Sequence, residues 1–250
     1  MSARSITAVI TPASRKAAAP RVRVGAPIGR WRRRSDQAIG SVLSGRFAVL
    51  AVCTGNVCRS PMAQALIASR LASHGVLSDA VAVASAGTGA LVGAPVDPPV
   101  RAMLDQLGVR MDPPHRARAV TADLVSRADL ILALARAHRE WLVREWPAAG
   151  RKIFTLRELA AVAAAAAPET LIPAPREPNA APTARESLTA SLAAASSLRA
   201  WASRGFAPAD FDVVDPYRRP PEVYRQMAAQ LTPAAAAVAD FLAALSRCAP

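Results

Sequence analysis

Residues Phe47 to Arg70 read FAVLAVCTGNVCRSPMAQALIASR, and this stretch constrains the rest of the chain more than any other. Phe47 to Val52 is an unbroken apolar run with β-branched residues, which predicts a short strand buried on both faces. Pro61 to Leu71 carries apolar residues at helical spacing, and proline is well tolerated in a first helical turn. Between the two, a tight polar turn sets Cys53 at the end of the strand and Arg59 six residues on, with Ser60-Pro61 opening the helix.

A strand, a tight loop and a helix N-terminus in succession form a trap for oxyanions. Backbone N–H groups around the loop can turn inward, and the helix start adds unpaired donors and the positive end of its dipole. Gly55 lets the chain turn closely, and Asn56 tolerates a left-handed conformation. Arg59 offers a planar fork matched to two phosphate oxygens. A thiol beside a cation and a helix N-terminus is favoured as its thiolate, so Cys53 reads as a nucleophile aimed at the bound oxyanion. Thr54, Gly55, Asn56, Val57, Cys58, Arg59 and Ser60 form the expected cradle. A cysteine followed six residues later by arginine means little alone in a chain with 29 arginines; the flanking strand and helix carry the weight.

The string VCTGNVCRSP in this setting resembles the phosphate loop of the low-molecular-weight protein tyrosine phosphatases. The resemblance implies a flavodoxin-like α/β fold: three layers, with a central four-stranded parallel sheet and helices on both faces. It implies that Ser85 and His115, the latter within His115-Arg116-Ala117-Arg118, support the loop through Asn56. It also implies a general acid in an Asp-Pro-aromatic string near the chain end, which Asp215-Pro216-Tyr217 supplies. Val57, Leu91 and Tyr217 are then the expected rim for an aryl group. The implied substrate is a tyrosine-phosphorylated protein, with a bacterial tyrosine kinase as the candidate partner, and the implied chemistry needs no cofactor and no metal.

The order of the remaining elements agrees with an α/β sheet. Ala80 to Ala84, Asp129 to Ala133 and Lys152 to Thr155 read as further strands. Helices are expected over Asp97 to Leu107, with Asp97 as N-cap, over Ala137 to Trp146 and over about Ala184 to Ser203. A last helix is expected from Glu222 to Leu231, with Pro233 starting a separate one. Strands alternating with helices at this spacing predict an open parallel sheet, whose ligands bind at the carboxyl ends of the strands, where Cys53 lies. His74 and His138 read as bland positions, one at a helix end and one on a polar helix face.

Two segments stand apart. Residues 1–46 hold ten of the 31 basic residues and only one acid, so most of the formal net charge of +13 belongs to this stretch. It reads as a disordered basic extension, with binding to nucleic acid or an acidic surface as the alternative. Residues 47–250 form the expected catalytic domain, with an Ala- and Pro-rich insertion at about 160–209. No uninterrupted apolar run of transmembrane length is evident. Three cysteines, Cys53, Cys58 and Cys248, offer neither a disulfide framework nor zinc spacing, which points to a reducing, cytoplasmic setting.

Two rival functions follow from the same motif. Thioredoxin-coupled arsenate reduction uses this fold but needs a relay of further cysteines, and none lies between Cys58 and Cys248. A redox-switched or silent phosphotyrosine-binding module is the other, with Cys58 close enough to Cys53 in sequence for a reversible disulfide.

Overall fold

The computed structural model describes residues 45–75, 80–166, 171, 183–202 and 204–247. Most of the basic extension, part of the Ala/Pro-rich insertion and Cys248 therefore lie outside the described residues.

The chain builds a four-stranded parallel sheet from β1 (Phe47–Cys53), β2 (Val81–Gly87), β3 (Leu130–Ala133) and β4 (Ile153–Thr155). Their spatial order is β2-β1-β3-β4. The helices are α1 (Arg59–Ser73), α2 (Pro98–Gln106), α3 (Ala122–Arg127), α4 (Arg136–Glu145), α5 (Leu156–Ala165), α6 (Ala184–Ser197), α7 (Arg199–Ala202) and α8 (Pro221–Arg247).

Strand periodicity divides the core into two layers. Phe47, Val49, Ala51 and Cys53 face one cluster with residues of α1, α2, α5, α6 and α8. Ala48, Leu50 and Val52 face the other, with α3 and α4. All seven residues of β1 are buried because both faces are covered, which is why the strand reads as a continuous apolar run. The first strand is central, and its register places Cys53 beside Gly87 at the carboxyl edge.

Three expectations are corrected. First, Pro233 does not begin a new helix: α8 runs unbroken from Pro221 to Arg247 with Pro233 inside it. An interior proline costs about 3 kcal/mol, but Pro233 lies on the exposed side, where water can satisfy the freed carbonyl. Met227, Leu231, Val238 and Leu242 are buried on both sides of it, each contributing on the order of 1.5–3 kcal/mol. Their sum outweighs the proline. Second, a regular helix, α5, begins before the expected insertion and continues into it. A capping box starts it, with the Thr155 hydroxyl accepting from Glu158 N and the Glu158 carboxylate accepting from Thr155 N. Third, the helix expected over about Ala184 to Ser203 breaks at Leu198, between α6 and α7.

By length and composition the carboxyl-terminal helix is long and apolar enough to cross a membrane, although Gln230 and Asp240 interrupt its apolar run. Half of its apolar stretch is buried inside the fold, packed largely on α1 and α5, the pattern of a core helix.

Candidate active site

Residues 53–60 leave β1, circle once and enter α1. What fixes the polarity of this loop is the fate of its carbonyl groups. Those of Cys53, Thr54 and Gly55 accept from the N–H groups of Thr88, Gly89 and Leu91, at 2.9, 3.0 and 3.0 Å. The Asn56 carbonyl accepts from His115 Nε2 at 2.8 Å. Val57 is held by Asp97 N at 2.9 Å and Cys58 by Met62 N at 3.2 Å. Every carbonyl from Cys53 to Cys58 is thus engaged, while among the described residues no acceptor engages the N–H groups of residues 54–58. The loop presents donors, which is the electrostatic requirement for an anion site.

Asn56 is the keystone. It is buried with φ 55, the left-handed region few side chains tolerate. Its side-chain amide donates to Ser60 Oγ at 2.9 Å and Ser85 Oγ at 3.0 Å, and its Oδ1 accepts from Arg118 N at 2.8 Å. Ser85 in turn donates to Gln64 Oε1 at 2.7 Å. Burial lowers the pKa of His115 to about 4, so the imidazole is neutral at pH 7 and donates to the Asn56 carbonyl. A side chain at Gly87 would fall far inside contact distance of the Thr54 carbonyl oxygen, so β2 can close on the loop only with glycine there.

Cys53 Sγ lies 3.0 Å from Ser60 Oγ. Because Asn56 donates to that hydroxyl, the single Ser60 proton is free for the sulfur or for the Ala86 carbonyl, 3.3 Å away. Arg59 is buried; its Nη1 donates to the Val213 carbonyl at 3.2 Å and its Nη2 pairs with Asp215 Oδ2 at 2.8 Å. Asp215 itself is half exposed and accepts from Tyr217 N at 3.2 Å. Asp212, three residues earlier, anchors this segment on Arg136: it accepts from the backbone N–H and from the guanidinium, which holds its carboxyl below the usual range against the effect of burial.

A cleft of about 200 Å³ brings together Cys53, Thr54, Gly55, Val57, Cys58, Arg59, Gly89, Leu91, Asp215 and Tyr217. Asn56 and Ser60 lie buried in the loop, and Ser85 and His115 stand against it from β2 and from the segment after α2. Cys53 and Cys58 are both free thiols. Burial, together with the neighbouring Asp97 carboxylate, pushes the Cys58 thiol up.

Two residues escaped the sequence reading. His138 is not on a polar, solvated face: it is buried and its Nε2 lies 2.9 Å from Thr54 Oγ1. Burial and the nearby Arg59 lower its pKa to about 4. Asp97 occupies the N-cap position of α2 but its carboxylate makes no capping bond; it accepts instead from the Tyr224 hydroxyl of α8. No local pattern announces either contact, since each joins segments at least 84 residues apart.

A donor-lined loop with cysteine and arginine, set at the carboxyl edge of a parallel sheet, defines the class of cysteine-dependent, phosphate-binding α/β proteins. The sequence profile of the low molecular weight phosphotyrosine protein phosphatases matches residues 48–178. The chain belongs to that family. It is 42% identical over 111 residues to the probable low molecular weight protein-tyrosine-phosphatase EpsP of Ralstonia nicotianae, covering 44% of this chain and 71% of that protein. It is 32% identical over 112 residues to a protein-arginine-phosphatase of Geobacillus stearothermophilus, covering 45% and 70%. Among solved structures, the low molecular weight protein tyrosine phosphatase from T. tengcongensis aligns with a TM-score of 0.53 and 26% identity, over 78% of this chain and 98% of that one. Asp215 lies beyond the stretch that the family profile matches.

Proposed function

We propose that the chain is a phosphotyrosine protein phosphatase that works through a phosphocysteine. The observation that carries this reading is the convergence of Cys53, Arg59 and Asp215 on one donor-lined cleft. The Cys53 thiolate attacks phosphorus, and the P–O bond to the phenol breaks as Asp215 delivers its proton to the departing oxygen. Asp215, now a carboxylate, takes a proton from a water that attacks phosphocysteine, and phosphate leaves as the sulfur regains its electron pair. Ser60 donates to that sulfur and makes it a better leaving group. Arg59 and the loop N–H groups carry the charge on the phosphoryl oxygens through both steps. Arg59 must exchange one guanidinium contact with Asp215 for one with the substrate, which frees the acid for its task.

The similarity to an arginine phosphatase makes phosphoarginine the competing substrate. Val57, Leu91 and Tyr217 give the cleft apolar walls, and Asp215 is its one carboxylate; this lining suits an aryl group better than a guanidinium. A tyrosine kinase carrying its own phosphotyrosines is the proposed partner, and the cytoplasm, where free thiols at Cys53 and Cys58 persist, the proposed setting.

Purified protein assayed side by side on phosphotyrosine, phosphoserine and phosphoarginine peptides tests the substrate. Cys53→Ser should abolish turnover yet leave phosphate binding largely intact, and Asp215→Ala should slow aryl esters with poor leaving groups by about 10²–10⁴-fold. Undiminished turnover in either variant overturns the assignment.

A further inference from the structure

A second concavity, of about 240 Å³, is lined by Pro99 and Met103 of α2, by Pro221, Tyr224 and Arg225 of α8, and by Arg219 of the loop that precedes α8. Its lining starts two residues along the chain from that of the Cys53 cleft. Tyr217 lines the cleft and Arg219 lines the concavity, and two residues of chain span at most about 7 Å. Arg218 between them takes a left-handed turn, φ 57. On the other side, the Tyr224 hydroxyl donates to Asp97, whose own N–H holds the carbonyl of Val57 in the phosphate loop.

The lining has a definite chemistry. Pro99, Met103 and Pro221 supply apolar walls, and two guanidinium groups stand among them. Arg219 has no acidic partner among the described residues. Arg225 pairs with Glu222, three residues earlier on the same helix, at 2.8 Å, and both side chains are about 70% exposed. Such an exposed pair is weakly held and yields to a better-placed carboxylate.

We infer that this concavity is a subsite for the substrate polypeptide, taking a glutamate side chain two or three residues from the phosphorylated residue. The inference rests on the phosphatase reading above. An extended peptide advances about 3.3–3.6 Å per residue, so two or three residues carry it from the cleft to Arg219. The glutamate methylenes lie along Met103 and the prolines while the carboxylate meets Arg219 and draws Arg225 from Glu222.

The test uses the full chain, p-nitrophenyl phosphate, and phosphotyrosine peptides bearing Glu, Gln or Lys at the second and third positions on either side. The expected result is a kcat/KM about fivefold or more higher for a Glu peptide than for its Lys counterpart, carried by KM and shrinking as salt is raised. The double variant Arg219→Glu, Arg225→Glu should invert that preference and leave turnover of p-nitrophenyl phosphate within about twofold of the parent. Equal turnover of Glu and Lys peptides by the parent, or a preference that survives charge reversal, overturns the subsite. Failure to hydrolyse p-nitrophenyl phosphate at all overturns the phosphatase reading and the subsite together, a result distinct from a flat peptide profile over intact turnover.

Discussion

At the scale of the residue, the contact between His138 and Thr54 bears most directly on the cleft, because Thr54 lies next to the nucleophile and its hydroxyl is otherwise free to rotate. The neutral imidazole fixes that hydroxyl, and the Nδ1 on the other side of the ring is buried with no partner among the described residues. A net hydrogen bond of about 1 kcal/mol predicts that His138→Leu lowers kcat/KM on an aryl phosphate by about fivefold. His138→Gln, which restores a donor, should recover most of the loss, and in a Thr54→Val background His138→Leu should have little further effect. Additive losses in the double variant would show that His138 acts only by filling space. Cys53, Arg59, Asn56 and Ser60 were legible in the sequence because one loop of eight residues carries them all. His138 was not, because its helix is polar overall and its burial arises only when α4 packs on β3 and β4 and brings the ring to Thr54.

At the scale of the element, strand existence followed from apolar runs, and the starts of α1 and α2 from the prolines in their first turns. The last helix was misread because proline was weighed locally while the burial that carries α8 across it comes from α1 and α5. Replacing Pro233 with alanine restores a backbone donor on an exposed helical turn. The gain approaches the proline cost of about 3 kcal/mol, less up to about 1 kcal/mol for the greater freedom of the unfolded chain. Melting should rise by several degrees in calorimetry, and an unchanged or lower Tm would mean that the helix is already bent to accommodate the ring. The reverse effect is expected at Gly87. A methyl group there drives β2 off the Thr54 carbonyl, so Gly87→Ala should weaken vanadate binding by at least about tenfold, as seen by calorimetric titration, before it unfolds the sheet. The capping box at Thr155 and Glu158 was a readable signal for α5, obscured by the alanine run that follows.

At the scale of the whole molecule, His115 and His138 make stability depend on pH. Both are buried, and both have their pKa lowered from 6.5 to about 4, chiefly by desolvation, with Arg118 adding to this at His115 and Arg59 at His138. At His115 the Asn56 carbonyl opposes the shift, and at His138 the Asp215 and Asp212 carboxylates do so. Between those two values the unfolded chain binds protons that the folded chain refuses. Stability is therefore complete above about pH 6.5 and is lost as pH falls toward 4, by on the order of 3 kcal/mol for each imidazole. Denaturant titrations at pH 7.5, 6 and 5 should show the midpoint falling, and His115→Gln combined with His138→Gln should flatten the curve. A midpoint that does not change over this range would mean that both rings are charged in the fold.

The outward-turned carbonyls of residues 53–58 are gripped by Thr88, Gly89, Leu91, Asp97 and His115, as well as by Met62 of the adjoining helix. The recognition motif is therefore a borrowed shape: five of its six clasps come from sequence that lies outside it. Transplanted into a foreign scaffold, residues 47–73 would keep the spelling of an anion receptor and lose its grip, because the peptide planes would be free to flip and turn oxygen toward the guest.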